Sequence, residues 1–127
     1  MRVLLDTHTF LWFIGGDRQL SVDARRLIED EGNTRYLSIA SAWEIAIKVG
    51  IGKLDVRMSL ASFWDQIPGN GTAILPFVTE HLSVVAALPL HHRDPFDRHL
   101  IAQALAERLP IVSADPLFDA YPIARLW

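Results

Sequence analysis

A chain of 127 residues with no cysteine and a formal charge of −3 reads as one domain, residues 1–127, with a single sizeable core, and it excludes a disulfide framework or a thiolate metal site. Half of its residues are hydrophobic and 21% are charged, which excludes a disordered chain, while the acidic balance argues against a strongly basic nucleic-acid binder. The N-terminus lacks a signal-peptide pattern and no window approaches ~18 uninterrupted apolar residues, so a cytoplasmic protein without membrane association is expected.

Residues Arg2 to Leu5 form a short apolar run that ends at Asp6 and predict a buried strand. Ser21 predicts an N-cap for a helix through about Asp30, with Asp23 in the first turn and Ala24, Leu27 and Ile28 turned inward. Arg35 to Ile39 reads as a second strand and Ser41 to Val49 as a helix stopped near Gly50 and Gly52. A helix over Ser59 to Ile67 ends at Pro68-Gly69-Asn70-Gly71. Thr72 to Leu75 reads as a third strand and Thr79 to Ala87 as a helix. The strongest helical pattern covers Pro95 to Arg108. Leu109 to Val112 and Ile123 to Arg125 supply a fourth and a short fifth strand. Strands alternating with helices predict right-handed βαβ units, hence a three-layer α/β/α domain around a parallel sheet of four or five strands. Such sheets bind ligands beyond the carboxyl ends of their strands.

Four acids fall where that rule directs attention. Asp6 closes the first strand, and Asp115 follows the fourth by a Ser113-Ala114 step. Glu44 and Asp97 are expected in the first turns of their helices. Asp97 shares a helical face with Ile101, Ala104 and Leu105, so its side chain is expected to point inward. Converging carboxylates repel unless a cation lies between them, and hard oxygen donors suit Mg²⁺ or Mn²⁺. The chemistry such a set supports is phosphodiester hydrolysis by a metal-activated water. A cation would also neutralise these acids, leaving a near-neutral remainder with low affinity for bulk nucleic acid.

Each acid also has a structural reading. Asp6 fits an N-cap for a helix beginning near Thr7. Ser41-Ala42-Trp43-Glu44 matches a capping box, and Glu44 stands four residues before Lys48. Asp94-Pro95 and Asp115-Pro116 both match a cap followed by proline at the first helical position, which leaves Asp97 as a partner for the helix dipole.

The ordered segments VLLDTHTFLW, SIASAWEIAIKVGIGKL and HHRDPFDRHLIAQALAERLPIVSADPLF resemble PIN-domain proteins of the VapC toxin type over nearly the whole chain. The resemblance implies an α/β/α fold with a central parallel sheet and a Mg²⁺- or Mn²⁺-dependent ribonuclease. It also implies a toxin controlled by a cognate antitoxin. Position by position, it assigns Asp6, Glu44, Asp97 and Asp115 as catalytic metal ligands. Asp94 ranks as a helix cap first and a ligand second, and Ser113 as a hydroxyl that holds water or a neighbouring carboxylate.

Histidines 8, 91, 92 and 99 lack the spacing of a zinc site, so no zinc is expected; His92 and His99 are read as supporting or substrate-contacting residues. Arg93 and Arg98 fit either phosphate binding or ion pairing with the nearby acids. Trp12, Phe13, Trp43 and Trp64 read as core or interface material rather than a base-stacking stripe. The apolar run Thr9 to Ile14 is a candidate contact with a second copy or an antitoxin. Two other functions compete. A haloacid-dehalogenase-like phosphoryl transferase needs a second acid two residues after Asp6, where this chain has His8. A catalytically idle PIN scaffold would be marked by loss of a ligand acid, and none is lost.

Overall fold

The structure is a computed structural model describing all residues from Met1 to Trp127. Its elements in chain order are β1 (Arg2–Leu5), α1 (Thr7–Gly15), α2 (Val22–Glu29), β2 (Thr34–Ser38), α3 (Ile39–Gly50), α4 (Leu60–Gly69), β3 (Thr72–Leu75), α5 (Thr79–Ala87), α6 (Pro95–Glu107), β4 (Ile111–Val112), a 3₁₀ turn (Pro116–Ala120) and β5 (Arg125–Leu126). The sheet is wholly parallel in the order β3-β2-β1-β4-β5, as the alternation of strands and helices requires.

β1 lies at the centre because it is buried on both faces: Val3, Leu4 and Leu5 are fully inaccessible. Side chains alternate across a strand. Val3 and Leu5 therefore join Leu37 and Val112 in one core with Phe10, Ile28, Ile45 and Phe63 from the first four helices. Leu4 joins Ile111 in the opposite core with Leu100, Ile101 and Ala104 of α6. A fully buried Leu or Ile contributes about 1.5–3 kcal/mol, so these two layers fix the strand order. α5 packs along α6, and the buried His81 ties them through a 2.8 Å contact from Nε2 to Glu107 Oε1.

The chain runs outward from β1 to β2 and β3, then crosses back through α5 and α6 to β4 on the other side of β1. This reversal leaves a crevice at the carboxyl ends of β1 and β4, the place where parallel sheets bind ligands. Leu5 is in register with Val112, so the residues after these strands, Asp6 and Ser113, emerge side by side.

The helix for which Asp6 fits the N-cap is present, while several other boundaries differ from expectation. Thr7–Gly15 is a helix, and the left-handed Gly16 (φ 63°) terminates it by donating to the Phe13 and Trp12 carbonyls. Its Thr9 and Phe10 are buried, and Leu11 to Ile14 pack against the core. The second strand ends at Ser38 rather than Ile39, because Ser38 Oγ accepts from the Ala40 N–H at 3.0 Å and starts α3 there. The fourth strand is trimmed to Ile111–Val112, and the fifth lies later than expected, at Arg125–Leu126.

Candidate active site

Asp6 leaves β1 and caps α1, its Oδ1 accepting from the Thr9 N–H at 2.7 Å. Its Oδ2 accepts from the Ser113 hydroxyl. Ser113 follows β4, is fully buried, and its Oγ also accepts from the Asp115 N–H at 3.0 Å. A single hydroxyl thus sets the positions of the two acids that leave the central strands. Asp115 caps the 3₁₀ turn through Oδ1, 2.9 Å from the Leu117 N–H, leaving Oδ2 free to face the crevice.

Glu44 is 5% exposed and sits in the second turn of α3, not the first, because the helix begins at Ile39. The capping-box reading therefore fails: Ser41 is buried inside the helix. Glu44 Oε2 meets Lys48 Nζ at 2.7 Å, as the i,i+4 spacing predicts. Its Oε1 lies 2.9 Å from Thr7 Oγ1, which also contacts Ser41 Oγ at 2.9 Å. A carboxylate only accepts, so the Thr7 hydroxyl donates to Glu44. Thr7 was not singled out from the sequence, although its place immediately after Asp6 is the signal that marks it.

Asp94 caps α6, its Oδ1 accepting from the Phe96 and Asp97 N–H groups at 2.8 and 3.2 Å. Asp97 follows in the first turn of α6, half-buried. His92 Nε2 lies 3.0 Å from Asp97 Oδ2 and 4.0 Å from Asp115 Oδ2. The close contact to Asp97 is not aligned as a hydrogen bond, and Nε2 is buried without a directional partner. The other ring nitrogen, Nδ1, accepts from the Asp94 N–H at 3.3 Å. One ligand atom each from His92, Asp97 and Asp115 falls within a mutual 4.8 Å.

The electrostatic consequence falls on Asp97. Its carboxyl is raised to about 7, first by burial and then by the negative charges of Asp94, Asp6, Glu44 and Asp115. A small cavity of about 290 Å³ opens over Asp6 and Asp115, bordered by His8, Trp12 and Ala114.

The remaining basic and aromatic candidates are placed differently. Arg98 does not face the acids. Its guanidinium donates to the carbonyls of Pro89, His92, Val85 and Leu88 at 3.1 to 3.4 Å, bracing the loop that carries His92. Arg93 is exposed and forms no ion pair. His99 turns away to stack on Phe77 with a centroid separation of 4.5 Å, and burial lowers its pKa. His91 packs against Tyr121. Trp43 packs edge-on to Phe96, the residue before Asp97, at 5.2 Å.

The donor set fits a hard divalent cation. It offers carboxylate oxygens in excess, one buried imidazole nitrogen without an aligned partner, and an unrelieved cost of packing like charges.

The PIN-domain family model matches residues 3–124. No curated protein sequence matches the chain. Among solved structures, VapBC2 from Rickettsia felis, bound to a DNA fragment from its promoter, is similar with a TM-score of 0.74 and 17% identity, covering 100% of this chain and 99% of that one. A toxin–antitoxin complex from Klebsiella pneumoniae gives a TM-score of 0.67 and 14% identity, covering 98% and 96% of the respective chains. FitAcB from Neisseria gonorrhoeae gives 0.66 and 20%, covering 100% and 97%. At these identities the likeness concerns the fold.

Proposed function

Since this chain belongs to the PIN-domain family, we propose that it is a Mg²⁺- or Mn²⁺-dependent endoribonuclease serving as the toxin of a toxin–antitoxin pair. The observation that carries this reading is Asp97: a carboxyl at the crevice of a parallel sheet, 3.0 Å from the unpartnered His92 Nε2 and pushed up to about 7 by burial first and then by the charges of Asp94, Asp6, Glu44 and Asp115. A cluster with that electrostatic cost is what a cation site looks like before the cation enters.

In this reading Asp6, Glu44, Asp97 and Asp115 hold the ion. A bound divalent cation supplies an acidified water and neutralises charge on the phosphodiester. The chain's own residues do the rest. Ser113 fixes the separation of Asp6 and Asp115, while Thr7 and Lys48 hold the Glu44 carboxylate. His92 presents Nε2 beside Asp97 and Asp115 as a further donor toward the ion. The one serine paired with a carboxylate at this rim, Ser113, is fully buried and donates to Asp6, and the chain has no cysteine, so a protein nucleophile plays no part in the proposal. Single-stranded or loop RNA is the expected substrate, because its bases can be splayed and contacted. A cognate antitoxin and a second copy of the chain are the expected partners; the fold neighbour from Klebsiella pneumoniae is itself a toxin–antitoxin complex.

The test is cleavage of a panel of structured RNAs with Mg²⁺, with Mn²⁺ and with excess EDTA. Cleavage is expected with either metal, none is expected in EDTA, and Asp97→Asn is expected to lose at least about 100-fold, the scale on which a positioned electrostatic group acts. Activity that survives EDTA, or that is undiminished in Asp97→Asn, contradicts the proposal.

A further inference from the structure

A second, larger cleft adjoins the acidic crevice. Its volume is about 490 Å³, and it lies between α1, the carboxyl half of α3 and residues 53–57. His8 and Trp12 line both this cleft and the small cavity over Asp6 and Asp115, so the two spaces share one aromatic wall. The far side carries Lys53 and Arg57, both exposed and neither engaged in an ion pair. The two acids in the lining are turned onto backbone: Asp17 Oδ1 accepts from the Gln19 N–H at 2.8 Å, and Asp55 Oδ1 from the Arg57 N–H at 2.7 Å. Arg57 holds a left-handed backbone (φ 60°) that glycine or asparagine adopts with less strain. That turn, held by Asp55, places Arg57 in the lining of the cleft.

Resting on the ribonuclease reading above, we propose that this cleft seats the RNA strand next to the cleaved bond. Lys53 and Arg57 take successive backbone phosphates, and Trp12 with His8 stacks the base at the junction with the acids. The chemistry matches the general mode of single-strand binding, in which cations follow the backbone and aromatic faces accept any base. It also accounts for RNA binding by a chain with a formal charge of −3: Lys53 and Arg57 form no ion pair with the Asp17 and Asp55 carboxylates of the same cleft, so their cationic heads stay available to phosphates.

The test uses a fluorescein-labelled octamer of uridine and the full-length protein in Ca²⁺, with affinity measured by anisotropy across a salt series. Each phosphate contact contributes about −0.7 to the slope of log affinity against log salt for single strands. Lys53→Gln/Arg57→Asn, which keeps a residue tolerant of the left-handed turn, is expected to flatten that slope by about 1.4 with an unchanged thermal melt. Trp12→Phe is expected to weaken binding at least about fivefold while leaving the slope as in the wild type. An unchanged slope in the double variant, where the wild type binds, overturns the strand path and leaves the ribonuclease reading standing. A wild type that neither binds nor cleaves RNA defeats that reading, and the path with it. Hexaglutamate that displaces the octamer as well as unlabelled oligouridine does assigns the cleft to an acidic peptide and also overturns the path.

Discussion

Asp6, Glu44 and Asp115 each have a compensating hydrogen bond from a hydroxyl, an ammonium or a backbone N–H; Asp97 has only the misaligned contact to His92. Its pKa of about 7 has a definite consequence for stability without metal. Between the unfolded value of 3.8 and about 7, the folded state keeps a proton that the unfolded state has lost, so stability falls as pH rises through that window and levels off above it. With the side chain 24% exposed, the loss is on the order of 1–3 kcal/mol after allowance for solvent screening. Denaturant melts in EDTA from pH 5 to 8 are expected to show Asp97→Asn overtaking the wild type as pH rises, with the gap closed again towards pH 4. A gap independent of pH would mean that Asp97 is ionised throughout. Three of the four acids stand where the sequence placed them, Asp6 and Asp115 just past strands and Asp97 in the first turn of α6, whereas Glu44 lies one turn deeper in α3 than expected; the structural readings of Asp6 as a cap and of Glu44 as the partner of Lys48 both hold. What the sequence did not reveal was Thr7, whose contact to Glu44 spans 37 positions and depends on how α1 packs on α3.

At the scale of elements, β1, β3 and α5 have the limits expected from their apolar runs and flanking turn residues. α1 was legible only through its cap, Asp6, and its extent was not, because Phe10 to Ile14 is apolar on every side, which erases the 3.6-residue alternation that marks a surface helix. The start of α3 was missed because Ser38 and Ser41 are both competent caps, and only the end of β2 decides between them. The loop between α5 and α6 has no regular structure of its own; Arg98 holds it through the carbonyls of Leu88, Pro89 and His92 and anchors it to the last turn of α5 through that of Val85. Lysine cannot reproduce that planar fork. Arg98→Lys is therefore expected to cost about 1–3 kcal/mol and to speed amide exchange over residues 85–92, while Arg93→Lys leaves both unchanged. Equal exchange in the two variants would show that the loop is held by other contacts.

For the molecule as a whole, the apolar run expected to meet a partner is mostly spent on the core. The outward residues Ile39, Trp43 and Ile47 of α3 and Ile51 just past its end recur every four positions and remain exposed. If a second copy covers that ridge, light scattering at tens of micromolar should give twice the chain mass of 14.3 kDa, and Ile47→Glu should return it to one; a monomeric wild type would refute the dimer. No helix is long and apolar enough to cross a membrane. In the proposed cation site the acids come from just past β1, from α3, from α6 and from the segment after β4, and calorimetric titration with Mn²⁺ reads their joint action. The wild type is expected to bind with release of close to one proton at pH 6, where Asp97 is largely protonated, and of almost none at pH 8. Asp97→Asn is expected to bind at least about tenfold more weakly, without the proton release. Equal Mn²⁺ affinity in the wild type and Asp97→Asn, or no binding by either, would contradict the shared site.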